Sequence, residues 1–244
     1  KSACTANQDK YMYRVLGVFS DANGNNHVKL IKYKQLISTG WASNADVNWE
    51  DSKLYASLNG SGFLTNTTYD YLQNTEWSNK IENWTWSAVN TKTSDGSNGP
   101  SYSKGLTPSQ IYLHEMNRTG KSSTVGEWTN PVAKIGLMYA SDYTLSLGAS
   151  ALAITGSTRD NSTTLKTGWM HQSNNDTTKN TWEWTLSRCG EGASGYFFAW
   201  VVDGVGSVTE YYLTSGVRPV FYLTTNAKTS GGDGSLDNPF IMEN

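Results

Sequence analysis

The beginning of the chain alternates apolar and polar residues in the way that paired β-strands do. Two runs rich in aromatic and β-branched residues, 11–19 and 27–33, are separated by the polar segment 20–26. Within that segment, Asn23 and Gly24 form a dipeptide that favours a tight hairpin turn. The pattern therefore predicts a β-hairpin.

Elsewhere the apolar residues change to the spacing that is typical of helices. Leu54 and Leu58 lie four residues apart within residues 51–60, after acidic and serine residues that suit a helix start. Gly60 is predicted to close this helix in the left-handed conformation. Two further helices are predicted, one over residues 66–80 and one beginning with Thr107 as the cap and Pro108 as the first helical residue.

The last third of the chain has the highest density of predicted strands. Turn residues at 203–204 and 214–216 separate three of its apolar runs, so an antiparallel meander is predicted. A glycine-rich tail then leads to a short edge strand at 240–242. The four runs are 181–186, 196–202, 207–213 and 217–223, and two further strands are predicted at 83–88 and 134–139.

Two long stretches without periodicity, 90–107 and 156–180, are predicted to be loops. Neither an internal repeat nor a linker divides the sequence, so residues 1–244 are predicted to form a single α+β domain. The start, residues 1–4, lacks the apolar stretch of a signal peptide. We therefore expect the signal or anchor segment of a longer precursor to be absent from this chain.

Composition and charge exclude some partners. The charged share is 16% and the net charge is −2, without the basic stripe that nucleic-acid binding requires. No run of apolar residues is long enough to insert into a membrane. Ten Trp and fourteen Tyr on a polar, weakly charged background are typical of an extracellular protein that uses aromatic side chains in its core and in its contacts.

The chain has two cysteines, Cys4 and Cys189, without the spacing of a zinc or redox site. A disulfide between them is the simplest pairing, and it would tie the N-terminus to a late segment of the fold. In the chain-entropy model so long a loop stabilises by roughly 4–5 kcal/mol. Two unpaired thiols are the alternative.

Four short motifs, in order along the chain, resemble a family of domains found in Gram-positive bacterial surface and pilin-like proteins. That family is similar to the C-type-lectin-like fold shared with formylglycine-generating enzymes. The resemblance implies a twisted antiparallel sheet with two or three short helices and long loops. The motifs are 49–54 (Trp-Glu-Asp-Ser-Lys-Leu) with 58–60 (Leu-Asn-Gly), 137–143 (Leu-Met-Tyr-Ala-Ser-Asp-Tyr), 184–187 (Trp-Thr-Leu-Ser) and 216–219 (Gly-Val-Arg-Pro).

Two departures from that fold limit what the resemblance implies about function. The chain lacks the Glu-Pro-Asn and Gln-Pro-Asp tripeptides with which calcium-dependent lectins hold ion and sugar together. A formylglycine-generating site needs a close pair of thiols, whereas Cys4 and Cys189 are far apart in sequence. Fold alone does not carry function, so neither activity is transferred.

Aromatic residues in irregular segments are the best candidates for ligand contact, because loops carry binding and an aromatic residue there lacks a packing role. Trp169 and His171 meet this criterion in the loop 156–180. Tyr211 and Tyr212 are adjacent in a predicted strand, so one of them faces away from the core. All four are predicted to contact a ligand.

Other polar groups have simpler interpretations. Asp233 and Asp237 flank a glycine-rich turn and suggest a calcium site, although a plain turn explains them with fewer assumptions. Calcium is the one cofactor that the sequence suggests. Glu50 and Asp51 suit a helix N-terminus. Arg218, in an apolar strand, is predicted to join loops to the sheet rather than bind an anion.

These observations predict a non-enzymatic extracellular binding module at the cell surface or the tip of a pilus. Loops 156–180 and 190–210 would form its binding face, with a glycan or a surface protein as ligand. The alternative is a structural minor pilin or filament subunit, which contacts other pilus subunits and has no soluble ligand.

Overall fold

The architecture is that of a computed structural model. It describes residues 12–41, 49–60, 78–87, 107–117, 131–147, 168–172, 182–191, 197–204, 206–211, 213–235 and 237–243. The helices are α1 (Lys53–Asn59), α2 (Pro108–Asn117), α3 (Ala140–Ser146) and α4 (Trp169–Gln172). The strands are β1 (Tyr13–Ser20), β2 (Asn26–Lys32), β3 (Ile37–Gly40), β4 (Trp84–Thr85), β5 (Val132–Ala133), β6 (Glu183–Glu191), β7 (Phe197–Val202), β8 (Val208–Tyr211), β9 (Thr214–Val217), β10 (Val220–Tyr222), β11 (Thr229–Ser230) and β12 (Ile241–Met242).

The predicted N-terminal hairpin is confirmed, with β1 antiparallel to β2. Its turn contains Gly24 at φ 84°, a conformation that glycine adopts without strain. The carboxylate of Asp21 accepts hydrogen bonds from the backbone N–H groups of Asn23 and Asn25. The hydrogen bond from the Asn25 side chain, together with these two backbone bonds, lowers the pKa of Asp21 to about 2. On its other side β2 pairs with β10, which completes a three-stranded sheet.

The second sheet has five strands in the order β3-β9-β6-β7-β8. The predicted meander is correct for β6, β7 and β8, which pair antiparallel. It is wrong for the fourth run, 217–223, because only β10 lies fully within it. The predicted turn at 214–216 is also wrong, since these residues and Val217 form β9. β9 lies beside β6 in parallel register, whereas β10 joins the other sheet. The break falls at Arg218 and Pro219, and proline interrupts a ladder because it has no N–H to donate.

Helices α1 and α2 begin where the sequence predicts. Helices α3 and α4 were not predicted, and α4 lies within the stretch 156–180 that was predicted to be a loop. Ser52 caps α1, with its hydroxyl accepting from the N–H of Tyr55, and Leu54 and Leu58 are fully buried. The predicted left-handed closure is wrong, because Gly60 has φ −76°. Glycine is needed there for space: a Cβ would lie 2.4 Å from the Ala56 carbonyl oxygen.

The start of α2 forms a reciprocal cap. The hydroxyl of Thr107 accepts from the N–H of Gln110, and the Gln110 side chain accepts from the N–H of Thr107. The predicted strand at 134–139 is wrong, because only Gly136 forms a bridge there, with Val220. The strand predicted at 83–88 is reduced to β4, which pairs with β5.

Aromatic side chains fill much of the core, as the alternating patterns indicate. Trp86, Trp184 and Trp200 are buried, and Trp84 stacks on Tyr222 with ring centroids 3.7 Å apart. The predicted short edge strand in the tail is confirmed as β12, which pairs with β11. Most of the helix predicted over 66–80 and most of the loop predicted over 90–107 lie outside the described residues.

The described residues thus form a mixed α+β structure of several small sheets with few helices, which confirms the predicted class. None of the helices described is both long and apolar enough to cross a membrane.

Candidate ligand-binding surface

The turn that carries Trp169 is fixed to the core by its neighbour, Met170. The side chain of Met170 is fully buried, and its carbonyl oxygen accepts a 3.1 Å hydrogen bond from Nη2 of Arg218. Arg218 is itself buried, with Nε 2.6 Å from Oε1 of Glu183 on β6. Arg218 therefore joins α4 to the five-stranded sheet, in the structural role that the sequence predicts.

Trp169 itself is half-buried and lies against an exposed cation on β1. The guanidinium carbon of Arg14 is 4.6 Å from the centroid of the indole ring and 6.0 Å from the ring centroid of Tyr33. Nη1 of Arg14 also donates to the Trp169 carbonyl oxygen at 3.4 Å. Arg14, Tyr33 and Trp169 form a surface that we call the Trp169 patch. It combines a permanent positive charge with two partly exposed rings.

His171, the second predicted contact residue in this segment, lies in the interior. The exposed fraction of His171 is 7%, whereas Trp169, two residues earlier, is only partly buried. A side chain with so little exposed area offers a ligand almost no contact. The structure thus buries His171 beside Met170, and its contact with a ligand stays a prediction.

The other predicted contact residues are at the margin of what the structure describes. Tyr211 is the last residue of β8, and its side chain is outside the described part. Tyr212 lies outside the described residues, as do many residues of the loops 156–180 and 190–210. Their contribution to a binding face stays a prediction.

The candidate calcium residues lie in a turn closed by its own hydrogen bonds. Oδ1 of Asp233 accepts from the N–H of Ser235, and this bond contributes to a lowered pKa of Asp233. The N–H groups of Asp233 and Gly234 both donate to the Asn238 carbonyl oxygen. Within the described residues, no three acidic, His or Cys side chains gather as a metal site would require. The hydrogen bonds are those of a plain turn, and calcium binding by Asp233 and Asp237 stays a prediction.

The predicted disulfide is not described by the structure. Cys4 lies outside the described residues, and Cys189 lies on β6 with its side chain outside the described part. The pairing stays a prediction.

A buried polar cluster at the start of α3 was not predicted. The first three N–H groups at this end, from residues 139–141, find side-chain acceptors on different elements. Asp142 accepts from the first at 2.7 Å, Ser187 on β6 from the second at 2.9 Å, and Glu115 on α2 from the third at 3.3 Å. We call Asp142, Ser187 and Glu115 the α3 cap cluster. It satisfies donors that a helix end leaves without partners.

Glu115 is the member of the α3 cap cluster with unusual electrostatics. Its side chain is fully buried, Oε1 accepts a 2.5 Å hydrogen bond from the Ser187 hydroxyl, and Oε2 has no hydrogen-bond partner. Burial raises the pKa of Glu115 to about 7, against the lowering effect of bonds from Ser141 and Ser187. The carboxyl group is enclosed by protein, so a substrate has no access to it.

Lys29 on β2 joins this cluster through Asp142. Its Nζ lies 2.5 Å from Oδ2 of Asp142, and the exposed fractions of the two side chains are 1% and 7%. Three aromatic rings surround the Nζ atom, with centroids at 4.7 Å for Tyr139, 5.1 Å for Phe19 and 5.4 Å for Tyr222. The position of Asp142, three residues after Tyr139, is a local sign of a cap, but the chain gives no local sign of its partner.

Comparison with known proteins found no protein-family model, curated protein or solved structure that matches this chain. The resemblance to domains of Gram-positive surface proteins, and the specific C-type-lectin-like fold that it implies, therefore stay predictions.

Proposed function

We propose that the chain is an extracellular binding module of a bacterial surface or pilus tip that contacts a glycan or a protein ligand through the Trp169 patch. The observation that carries the proposal is the rigid presentation of a partly exposed Trp beside an exposed Arg. Trp, Tyr and Arg are the residues that contribute most often to binding energy at interfaces. The Trp169 patch contains one of each.

Rigid support favours binding because less conformational entropy is lost when the ligand docks. Met170 and Arg218 fix the backbone of α4, and the Arg14 hydrogen bond adds a second attachment at the Trp169 carbonyl. The backbone that carries the indole ring is thus attached at two points before any ligand arrives. The polar, weakly charged composition supports placement outside the cell.

Trp169→Ala should lower the affinity for the ligand at least about tenfold, because truncation of a central aromatic residue commonly costs more than 1 kcal/mol of binding energy. The measurement is a glycan array and a host-protein array probed with wild type, followed by titration of any ligand found with both proteins. Phe240→Ala is the matched control, since Phe240 is an exposed aromatic residue (53%) that follows a different turn. It should bind as wild type does.

Equal affinity of wild type and Trp169→Ala would contradict the proposal, as would the absence of any ligand on both arrays. In the second case we would favour the alternative, a filament subunit. Among the described residues, β1 is the outer strand of its sheet, and its Val15 and Val18 are 52% and 61% exposed. An outer strand with exposed apolar side chains can pair with a strand of another copy. Sedimentation at increasing protein concentration then detects self-association.

A further inference from the structure

Three Asn-Gly pairs occur in the sequence, and the structure places two of them in different surroundings. They are Asn23–Gly24 in the hairpin turn, Asn59–Gly60 at the end of α1, and residues 98–99, which lie outside the described residues. In an Asn-Gly pair the glycine nitrogen is an unhindered nucleophile next to the side-chain amide, because glycine has no Cβ. The surroundings of each pair then decide whether the two groups can meet.

Asn59 is held away from this reaction by its own contacts. Its side-chain amide donates to the Ile135 carbonyl oxygen at 2.8 Å and accepts from the Ile135 N–H at 3.0 Å. The N–H of Gly60 donates to the Ala56 carbonyl oxygen at 2.9 Å, at the end of α1. Both reacting groups are thus engaged, and these bonds must break before the nitrogen can attack.

Asn23 has fewer restraints. Asn23 and Gly24 are both exposed, and the side-chain amide of Asn23 makes no hydrogen bond with any residue that the structure describes. The Gly24 N–H donates to the Asp21 carbonyl oxygen at 3.1 Å, in a turn that is open to water. One exposed hydrogen bond contributes little to stability, so brief opening of the turn frees the nitrogen.

We propose that Asn23 is a site of spontaneous deamidation. The Gly24 nitrogen attacks Cγ of Asn23, and the N–Cγ bond forms as the Cγ–Nδ2 bond breaks. Nδ2 leaves as ammonia with the proton that the Gly24 nitrogen loses, and a five-membered succinimide ring remains. Solvent water then opens the ring by breaking the bond from the nitrogen to one of the two carbonyl carbons. The product is an aspartate at position 23 or an isoaspartyl link through Cγ, and no oxidant or reductant takes part.

The isoaspartyl product would alter the hairpin turn, because it adds one carbon atom to the main chain between residues 23 and 24. The Asp21 carboxylate accepts from the N–H groups of Asn23 and Asn25 on either side of that link. The pKa of Asp21, lowered to about 2, keeps this carboxylate charged at neutral pH, so a new carboxylate two residues away would repel it. Both changes should loosen the turn that connects β1 with β2.

The test follows the full chain in mildly alkaline buffer, both folded and unfolded in urea. Digestion at acidic pH and tandem mass spectrometry measure the conversion of each Asn-Gly pair, since every event replaces an NH₂ group by an OH group. In the folded chain Asn23 should convert at least about tenfold faster than Asn59, because two hydrogen bonds to Ile135 must first break. In urea the two rates should become similar.

Asn23→Ser, which lacks the side-chain amide, is the control and should give no modified peptide from the turn. An Asn23 amide that persists in the folded chain while it converts in urea would overturn the proposal, because the turn would then protect it. Equal rates at Asn23 and Asn59 in the folded chain would also contradict it, since the contacts of Asn59 would then make no difference.

Discussion

At the scale of single residues, Glu115 couples the stability of the fold to pH. Its pKa rises from an ordinary value of 4.5 to about 7 because the carboxyl group is buried. The folded chain therefore holds a proton that the unfolded chain releases between these two pH values, so the favourable contribution of Glu115 is complete below about pH 4.5 and is lost as pH rises through 7. Above that range the fold contains a buried negative charge with one oxygen lacking a hydrogen-bond partner.

Glu115→Gln should remove this dependence, because an amide has the same shape and does not ionise. At pH 5 the free energies of unfolding of wild type and variant should be similar. At pH 8.5 the variant should be more stable, by up to an order of 3 kcal/mol for a shift of this size. Urea unfolding at both pH values measures the difference. Glu243→Gln, at an exposed site, is the control; an equal gain at both pH values for Glu115→Gln would contradict the interpretation.

At the scale of secondary-structure elements, the sequence predicts what neighbouring residues determine. Asn23-Gly24 and the reciprocal cap of Thr107 and Gln110 are local signals, and the hairpin and α2 follow from them. The parallel pairing of β9 with β6 has no local signal. It brings Gly216 opposite Glu183, and it depends on how the chain divides at Pro219. The same limit hides the contact of Lys29 with Asp142, which are 113 residues apart.

Gly136, in the segment between β5 and α3, illustrates a constraint that the sequence does not reveal. Its N–H and carbonyl groups both bond to Val220, and a Cβ at this position would lie 2.6 Å from the ring of buried Trp86. Gly136→Ala should therefore destabilise the fold by about 1–3 kcal/mol, the usual cost of overpacking. Chemical denaturation measures the loss.

Gly17→Ala is the matched control for that substitution. A Cβ at Gly17 would meet only the end of the partly exposed Phe19 ring, at 3.1 Å, and this side chain has room to move. The loss should be smaller than at Gly136. Equal losses would mean that the contact with Trp86 is not the cause.

At the scale of the whole molecule, one short segment holds the two main sheets together. Residues 214–222 contribute β9 to the five-stranded sheet and β10 to the three-stranded sheet, with Arg218 at the crossing. The same side chain reaches Glu183 on β6 and the carbonyl of Met170 in α4. Three parts of the described structure therefore depend on a single buried ion pair.

Arg218→Met should cost about 3–5 kcal/mol of unfolding free energy, because it leaves the Glu183 carboxylate buried without its guanidinium partner. The double variant Glu183→Leu with Arg218→Met should lose less than the sum of the two single variants. Urea unfolding of all four proteins completes the cycle. Strictly additive losses would show that the two side chains are not coupled.

The α3 cap cluster also implies an order of events during folding. A helix of seven residues is too short to persist alone, and the acceptors for two of its first three N–H groups come from α2 and β6. We therefore expect α3 to form late, after those elements have met. Lys29 reaches Asp142 only in that completed arrangement, so this buried ion pair would be among the last contacts to form. A chain that stops folding before this step would leave Lys29 and Asp142 in water.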